Sequence, residues 1–379
     1  MQVEQRSWRQ ETGWLPEGAP ALSRDADLVL VFGSSAIIRD SERLLEVESA
    51  YPTATVMGCS TAGEICDTRV YDDSLVTTAV RFDHTTVEGT RVNVDECAGS
   101  FEAGERLARA LSRDDLVHVF VLSDGIKVNG SELVRGLLSD LPPGVTVTGG
   151  LSGDGDRFQR TSAFVDGPPE EGQIAALGLY GTRLKVGYGS LGGWDPFGPE
   201  RLITRSEGNV LYELDGQPAL ALYKAYLGEH AEGLPSTGLL FPLSVRVSHD
   251  GREVVRTILA VDEAEQSMTF AGDVPEGTYA RLMKANFDRL VEGANSAAQT
   301  SYEAIGSSSP DLAVLISCVG RKLVLRQRTE EEVEAVRRVL GERTVITGFY
   351  SYGEICPAAP NANCELHNQT MTITTFSEG

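Results

Sequence analysis

The amino-acid sequence predicts a mixed α/β fold in which tandem βαβ-type repeats form mixed sheets, arranged in two modules that are partly pseudo-symmetric. Three segments support this prediction, because each reads as a buried strand, a helix and a second strand: residues 27–58, 115–149 and 311–348. Each is about 30 residues or more, which is the length of a βαβ unit. Each second strand ends in a glycine-containing turn, at the edge where ligands bind in open α/β sheets.

The elements of each unit follow from their hydrophobic periodicity. The first strands are continuous apolar runs, typical of strands buried on both faces, at residues 28–32, 116–122 and 312–317. The helices carry apolar residues at helical spacing, and the third is predicted to begin with a capping box at residues 329–332. A further strand is predicted after each turn, at residues 74–82, 173–180 and 368–376.

A glycine-rich motif closes the first and third units. Residues 58–66 (GCSTAGEIC) recur as residues 348–356 (GFYSYGEIC), with both glycines, the glutamate, the isoleucine and the cysteine at the same offsets. Residues 149–154 (GGLSGD) form a degenerate copy that is one residue shorter. The repetition indicates duplication, so the sequence predicts a site between equivalent parts of the chain.

The domain boundaries are predicted from length and from breaker residues. A chain of 379 residues is expected to form two domains. Residues 192–200 are rich in glycine and proline and read as the linker between a domain at 22–191 and a domain at 201–379. Residues 1–21 are expected to form a poorly packed N-terminal arm.

Composition excludes several classes of partner. The formal net charge of -22 argues against binding to nucleic acid or to an anionic membrane. No apolar run approaches the roughly 20 residues that span a bilayer, and the N-terminus lacks a signal-peptide core, so a cytoplasmic location is expected. The six cysteines are then expected to be reduced, and no C-x-x-C pair points to zinc. No metal site is predicted.

At this point the residues resemble a known family, the FIST proteins (F-box and intracellular signal transduction). The N-terminal resemblance rests on residues 31–33 and 51–64, and the C-terminal resemblance rests on residues 208–216, 317–321, 348–355 and 367–370. The domain at 22–191 is therefore expected to be FIST N-like and the domain at 201–379 FIST C-like.

The resemblance implies an intracellular sensory protein that binds a small ligand, with amino acids and related metabolites among the implied ligands. The chain carries no recognisable kinase, cyclase or F-box segment, so we expect it to signal through a separate protein partner. Some members of the family resemble haem-binding nitric oxide sensors. The oligomeric state and the ligand are left open by the sequence.

Two glutamates of the repeated motif are the leading site candidates. Glu64 and Glu354 each follow a glycine at the predicted ligand edge, where a carboxylate can accept from an amine or, alternatively, from backbone N–H groups of its own turn. Arg321 follows the strand at 312–317 and can bind a ligand carboxylate or pair with Glu354. Cys318 precedes Arg321 by three residues, and the sequence favours a role in the core for Cys318 over a role as a nucleophile.

The differences between the motif copies direct the remaining expectations. Tyr350 and Tyr352 offer an aromatic pocket wall in the C-terminal copy, or ordinary packing between domains. Ser60 and Thr61 offer hydroxyl donors in the N-terminal copy, or local turn bonds. Asn368 follows the family-like histidine at 367. We therefore expect the ligand pocket near the C-terminal copy and an architectural role for the N-terminal copy.

The sequence favours a protein without catalytic activity and without a cofactor. An enzyme that uses a buried carboxylate as general base, or Cys318 as nucleophile, is the less favoured alternative. Haem is the alternative cofactor, and it requires an axial histidine in an apolar pocket. His230 and His367 are the candidate ligands, whereas His118 reads as a core residue of a strand.

Overall fold

The protein is described by a computed structural model that covers residues 1–246, 253–306, 309–358 and 362–379. Within these residues the strands form three six-stranded sheets and one eight-stranded sheet. The predicted fold class is confirmed, since every sheet is covered by or connected through helices and three of the four mix parallel and antiparallel pairs.

The first repeat unit comprises residues 2–81. Its elements are β1 (Gln2–Arg9), β2 (Gly13–Leu15), β3 (Leu28–Ser34), α1 (Ser35–Ile38), α2 (Ser41–Ala50), β4 (Thr55–Thr61), β5 (Glu64–Cys66), β6 (Arg69–Tyr71) and β7 (Ser74–Arg81). Strands β3 and β4 are parallel, and β7 lies antiparallel to β3 on its other side. These are the predicted βαβ unit and the strand after it.

The expectation of a poorly packed N-terminal arm is wrong. Strand β1 pairs with β7 along all eight of its residues and with β2 through a hairpin. The largely polar sequence of β1 gives little sign of a strand. The strand is held mainly by backbone hydrogen bonds and by only a few apolar side chains. Trp8 and Trp14 pack against the cluster beneath α2, and Val3 packs against the central core.

The second repeat unit comprises residues 86–180. Its elements are β8 (Thr86–Asn93), a short 3₁₀ helix (Val94–Glu96), α3 (Ser100–Leu111), β9 (Leu116–Ser123), α4 (Gly130–Asp140), β10 (Thr146–Leu151), β11 (Ala163–Val165) and β12 (Gln173–Tyr180). The strand order β10-β9-β12-β8 matches the order β4-β3-β7-β1 of the first unit.

The third repeat unit is interrupted after its first strand. Strand β13 (Leu184–Leu191) leads into an inserted sheet at residues 195–284. All the described strand pairs of this sheet are antiparallel. Its elements are β14 (Asp195–Glu207), β15 (Val210–Leu214), β16 (Gln217–Pro218), α5 (Ala219–Leu227), 3₁₀ helices at Gly228–Gly233 and Ser236–Leu240, β17 (Leu243–Arg246), β18 (Glu253–Arg256), β19 (Ile258–Asp262), β20 (Ser267–Phe270) and β21 (Tyr279–Lys284). The residues predicted as a linker, 192–200, thus lead into and begin the first strand of this sheet.

The third unit resumes after the inserted sheet. Its elements are α6 (Phe287–Ala304), β22 (Leu312–Cys318), α7 (Val319–Leu325), a 3₁₀ turn (Arg326–Arg328), α8 (Thr329–Leu340), β23 (Val345–Ser351), β24 (Gly353–Pro357), β25 (Cys364–His367) and β26 (Met371–Glu378). The order β23-β22-β26-β13 again matches the first unit.

The predicted capping box at the start of α8 is wrong. Thr329 is already the first residue of the helix, and its hydroxyl donates to the carbonyl of Arg326. Glu332, predicted to reach back to the helix start, instead turns into the interior and is fully buried. The Thr-x-x-Glu spacing is that of a capping box, but in this helix the glutamate is a buried carboxylate of the core.

The three units exchange short strands in a closed cycle. Strand β5 of the first unit pairs with β23 of the third, β24 of the third pairs with β10 of the second, and β11 of the second pairs with β4 of the first. Because every unit both lends and receives a strand, the three sheets surround a common centre. The predicted pseudo-symmetry is confirmed, and it is three-fold.

The hydrophobic core follows from alternation along the central strands. Leu28, Leu30 and Phe32 belong to a cluster that also includes residues of β9 and β22, whereas Val29 and Val31 pack beneath α1 and α2. Both faces of β3 are therefore buried, which explains its uninterrupted apolar sequence. At the centre, the rings of Phe32 and Phe349 lie 4.8 Å apart.

Candidate functional site

The three glycine motifs meet at the centre of the molecule. In each, a backbone N–H donates to a carbonyl of the next motif: Ala62 to Tyr350 at 2.8 Å, Tyr352 to Leu151 at 3.2 Å, and Gly153 to Ser60 at 2.9 Å. These six residues occupy two equivalent positions in the three copies. The degenerate copy at 149–154 is therefore a structural equivalent of the other two.

The first glycine of each motif is required by the approach of the neighbouring parallel strand. A Cβ atom added at these glycines would lie far inside van der Waals contact of a backbone carbonyl oxygen: 2.3 Å from that of Val31 at Gly58, 1.9 Å from that of Val121 at Gly149, and 1.8 Å from that of Leu315 at Gly348. The recurrence of this glycine is explained by packing between strands, without a ligand.

Glu64 ties its motif to the next strand of the first unit. It is fully buried, it accepts a short hydrogen bond from the hydroxyl of Thr61, and its Oε2 accepts from both the backbone N–H (3.1 Å) and the hydroxyl (2.7 Å) of Ser74. Burial raises the pKa of Glu64 to about 7, although these donors and Lys322 act in the opposite direction.

Glu354 makes the same three bonds in the third unit. Its Oε1 accepts from the Ser351 hydroxyl at 2.6 Å, and its Oε2 accepts from the backbone N–H (3.1 Å) and the hydroxyl (2.9 Å) of Thr370. Burial raises the pKa of Glu354 to about 8. The two carboxylates are equivalent braces, and each joins a motif turn to the strand that follows.

Arg321 belongs to a buried ion-pair network. Its Nε and Nη2 donate to Oε2 of Glu332 at 3.0 and 2.7 Å, and both side chains are fully buried. The other carboxylate oxygen accepts from the hydroxyls of Tyr350 (2.7 Å) and Ser317 (3.0 Å). Arg321 also donates to the carbonyls of Gly192 and Leu290, both at 2.8 Å. Its partner is thus Glu332 and not Glu354.

The other predicted site residues of the C-terminal copy also have interior partners. The Tyr352 hydroxyl donates to the carbonyl of Gly155 at 3.1 Å, and its ring stacks on Phe158. The thiol of Cys318 is buried, which raises its pKa well above the ordinary value. The Asn368 amide donates weakly to the carbonyl of Tyr352 at 3.4 Å, while its Oδ1 has no hydrogen-bond partner among the described residues.

A polar cavity of about 290 Å³ lies beside the N-terminal motif, where all three units meet. Thr61, Ala62, Gly63 and Glu64 form its floor. Polar side chains from each unit complete the wall: Ser34, Asp72 and Asp73 from the first, Asp156 and Arg157 from the second, and Lys322 from the third. The expected position of the pocket, near the C-terminal copy, is therefore not where this cavity lies.

Lys322 links the cavity wall to the N-terminal motif. Its Nζ donates to the carbonyl of Ala62 at 2.8 Å and makes a short contact with the carboxylate of Asp72. The ammonium also lies 5.6 Å from the centre of the Tyr350 ring, within the range of a cation–π interaction. Lys322 therefore reaches the cavity, whereas Arg321, the preceding residue of the same helix, points into the interior.

The cavity continues toward the inserted sheet. A second cavity, of about 490 Å³, shares Asp72, Asp156 and Lys322 with the first. Its far wall is the 3₁₀ helix Ser236–Leu240 of the inserted sheet, which contributes Ser236 and Thr237. The combined cleft thus lies between the repeated core and the inserted sheet.

The structure brings two of the predicted site residues, Thr61 and Glu64, to this cavity. Ser60 lies next to them but accepts a hydrogen bond from the backbone of Ser162. The residues that sequence reasoning missed are those of the wall, above all Lys322. One signal was available, because Ser34, residues 155–157 and Lys322 lie at or soon after the C-terminal ends of the parallel strands β3, β10 and β22, where ligands bind in such sheets.

The environments of the two candidate haem ligands do not fit that role. His367 is largely buried, and its Nε2 lies 2.9 Å from the carbonyl oxygen of Cys356. His230 is exposed on a 3₁₀ helix, where its ring packs near Phe241. Neither histidine lines the cavities described above. Both nitrogens of His118 contact threonine hydroxyls, and burial lowers its pKa to about 3.

The residues that the structure describes contain neither a metal-binding cluster nor a membrane-spanning helix. Among these residues, no group of three or more histidine, cysteine, aspartate or glutamate side chains is placed to hold a metal ion. In the same part of the chain, no helix has the length and apolar character needed to cross a membrane.

Comparison with known domains places the protein in the class of signal-transduction sensory proteins. Residues 27–217 match the FIST N domain and residues 219–357 match the FIST C domain, and both are recognised as sensory domains. The matches cover most of the sequence, and the chain belongs to the FIST family. The resemblance seen in the sequence is confirmed.

Sequence comparison finds similarity to uncharacterized proteins of a bacterium and an archaeon. Two uncharacterized proteins of Mycobacterium tuberculosis, from strains CDC 1551 / Oshkosh and ATCC 25618 / H37Rv, are each 25% identical over 379 residues, covering 96% of this chain and 92% of theirs. An uncharacterized protein of Methanocaldococcus jannaschii is 25% identical over 209 residues, covering 51% of this chain and 39% of its own. A crystal structure of a cyanuric acid hydrolase from A. caulinodans aligns over 78% of this chain and 99% of that chain, with 8% identity and a TM-score of 0.19. This TM-score is too low to indicate a shared fold.

Proposed function

We propose that this protein is a sensor that binds a small polar molecule, such as an amino acid or a related metabolite, in the cavity beside residues 61–64. The observation that carries the proposal is the position of this cavity at the junction of all three repeat units. A ligand there contacts side chains from distant parts of the chain, so its binding energy can change how the units pack together. Membership of a sensory family supports the same conclusion.

The size and charges of the cavity favour a small ligand with polar ends. Its volume of about 290 Å³ lies at the lower limit of about 300–1,000 Å³ for small-molecule sites. Its wall carries cations (Arg157 and Lys322) and carboxylates (Asp72, Asp73 and Asp156), with apolar contacts from Val319 and Leu323. An amino acid offers groups of both charges at a matching scale.

Binding is favoured over catalysis by a comparison within the chain. The Thr61–Glu64 pair resembles a nucleophile beside a general base. The Ser351–Glu354 pair has the same hydrogen bonds, yet it does not line this cavity. Because the arrangement recurs away from the cavity, it is explained by its role as a brace. The buried Cys318 thiol, with its raised pKa, is a poor nucleophile.

We propose further that the signal passes to a separate protein partner through the inserted sheet. The cleft extends to the 3₁₀ helix Ser236–Leu240, so a ligand in the cleft can contact both the core and this sheet. A change in their packing would reach the exposed face of the inserted sheet. The inserted sheet carries two exposed aromatic residues, Phe197 and Tyr279.

A thermal-shift screen against amino acids and common metabolites tests the binding proposal. A ligand that binds the native state must raise the melting temperature, and the rise should be lost in Lys322→Gln. The matched control is Lys224→Gln, because Lys224 also lies on a helix and pairs with a carboxylate, that of Glu263, but in the inserted sheet. A flat response across the panel, or an equal response in Lys322→Gln, would refute the proposal.

A further inference from the structure

A further cavity, of about 340 Å³, lies where the inserted sheet contacts α4 and β25, and we call it the Arg256 cavity. Its wall combines Arg256 and Asp273 of the inserted sheet with Arg135 of α4 and Leu366 of β25. It shares no lining residue with the junction cavity beside residues 61–64 or with the extension of that cavity toward the inserted sheet. The Arg256 cavity is therefore separate from the site of the proposed function.

Arg256 carries a buried positive charge that has no carboxylate partner. The residue is 4% exposed, and its Nε and Nη1 donate to the backbone carbonyls of Asp273 (3.1 Å) and Leu366 (3.0 Å). Among the described residues, no carboxylate forms an ion pair with Arg256. Burial lowers the pKa of Arg256 to about 10, although Asp273 and Glu365 act in the opposite direction. Buried charges in proteins are normally paired, so an anion is the missing partner of this guanidinium.

Arg321 shows how the same chain satisfies a comparable charge. Arg321 also donates to two backbone carbonyls, but its Nε and Nη2 bind the carboxylate of Glu332. At Arg256, Nη2 makes no hydrogen bond with any described residue, and it retains access to solvent. Because Arg256 lines the cavity, Nη2 is the nitrogen that is left to bind an anion there.

The remainder of the wall favours a monocarboxylate over a phosphate. Arg256 has one free nitrogen, so the two-nitrogen fork that binds phosphate groups is not available. The carboxylates of Asp273 and Glu365 also line the cavity, and they repel a dianion more strongly than a monoanion. Apolar side chains complete the lining, so it suits a single carboxylate at one end of an apolar chain. These side chains are Val134, Leu138, Pro275 and Leu366.

We infer that the Arg256 cavity is a second ligand site and that it binds a small organic monocarboxylate. The carboxylate accepts a hydrogen bond from Nη2 of Arg256, and the apolar chain of the ligand packs against Val134 and Leu138. Arg135 lies 3.3 Å from the carboxylate of Asp273 and so reduces the repulsion between Asp273 and the ligand. The inference goes beyond the proposed function, because it concerns a different cavity and a different ligand.

Hexanoate, hexanamide and hexylamine separate charge from shape in saturation-transfer difference NMR, with inorganic phosphate as a competitor. We expect hexanoate to bind saturably and hexanamide to bind at least about ten-fold more weakly, because the amide carries no charge to pair with Arg256. Hexylamine should not bind, and phosphate at equal concentration should not displace hexanoate. Equal binding of hexanoate and hexanamide, binding of hexylamine, or displacement by phosphate would overturn the inference. So would the absence of saturable hexanoate binding up to about 20 mM.

Variants test the location of the bound carboxylate. Arg256→Gln should weaken hexanoate binding by about ten-fold or more, because a hydrogen bond between charged groups is lost. Arg135→Gln should weaken it by about two- to five-fold, because Asp273 then loses the cation that offsets its charge. Arg109→Gln is the matched control, since Arg109 is 59% exposed, close to the 60% of Arg135, and also contacts two carboxylates, but outside the cavity lining. Unchanged hexanoate binding in Arg256→Gln would overturn the inference.

A measurement on the unsubstituted protein keeps the inference testable if Arg256→Gln does not fold. In hydrogen–deuterium exchange, hexanoate should slow exchange in α4 and β25, which line the Arg256 cavity, and leave residues 61–64 unchanged. The reverse pattern, or loss of hexanoate binding in Lys322→Gln, would place hexanoate in the junction cavity and overturn the inference. The proposed function is unaffected by either result, because its test depends on ligands of the junction cavity.

Discussion

Glu332→Gln is expected to destabilise the protein strongly although it keeps the shape of the side chain. Glu332 neutralises Arg321, and both are fully excluded from solvent. The substitution leaves the Arg321 guanidinium buried with only neutral acceptors, chiefly the carbonyls of Gly192 and Leu290. Breaking a buried ion pair by removing one partner costs about 3–5 kcal/mol.

The hydrogen bonds of the pair give a similar magnitude. Two bonds from Arg321, at 3.0 and 2.7 Å, end on the same oxygen of Glu332. A hydrogen bond to a charged group contributes about 1.5–3 kcal/mol, so two of them amount to about 3–6 kcal/mol. The hydroxyls of Tyr350 and Ser317 can still donate to the amide oxygen of the glutamine, so they add little to the loss.

Urea unfolding followed by circular dichroism measures this change. Glu334→Gln is the matched control, because Glu334 lies two residues further along the same helix and is exposed. We expect the control to change the free energy of unfolding by less than about 0.5 kcal/mol. A loss below about 1 kcal/mol in Glu332→Gln would refute the reasoning, and it would restore Arg321 as a residue free to bind a ligand.

Three further predictions follow from the motif, its carboxylates and the histidines. Gly348→Ala should cost about 3 kcal/mol or more in urea unfolding, because its Cβ meets a backbone carbonyl, whereas Gly341→Ala, with a φ of 82° and open space, should cost about 1–2 kcal/mol; similar losses in both would contradict the packing explanation. Burial raises the pKa of Glu354 to about 8, so the folded state keeps a proton that the unfolded state releases above its ordinary pKa of about 4.5, and stability should fall by up to a few kcal/mol between pH 5 and pH 8. Glu354→Gln should flatten part of that decline, and an unchanged profile would show that this carboxyl does not titrate there. Haemin added to the reduced protein should keep the spectrum of free haem, and a shifted Soret band lost in His230→Ala or His367→Ala would contradict the assignment of their environments.

The repeated units were predictable because their signals are local. Continuous apolar strands at 28–32 and 312–317, followed by a glycine motif 30 and 36 residues after the strand begins, specify strand, helix and strand without knowledge of the rest of the chain. The cyclic exchange was not predictable, since β5 and β11 are three residues long and pair with strands of other units. Such pairing depends on the packing of the whole molecule, and no local pattern encodes it.

The candidate site shows a different limit of sequence reasoning. Arg321 and Lys322 are adjacent in sequence, but successive residues of a helix point about 100° apart, so one enters the core and the other reaches the cavity. The sequence does not indicate which of these two cations reaches the cavity. From its spacing in the sequence, Glu332 can either cap the helix or face the core. Its ion pair with Arg321, which is visible only in the folded structure, shows that it faces the core.

The most direct test of the junction cavity is hydrogen–deuterium exchange with the compound that raises the melting temperature most. Binding at this cavity should slow exchange in three separate segments, one from each repeat unit: residues 61–73, 155–157 and 319–326. These segments share no sequence neighbourhood and meet only at the cavity wall. Joint protection of all three is the predicted result. Protection confined to one unit or to the inserted sheet, with the other segments unchanged, would contradict a ligand site at the junction.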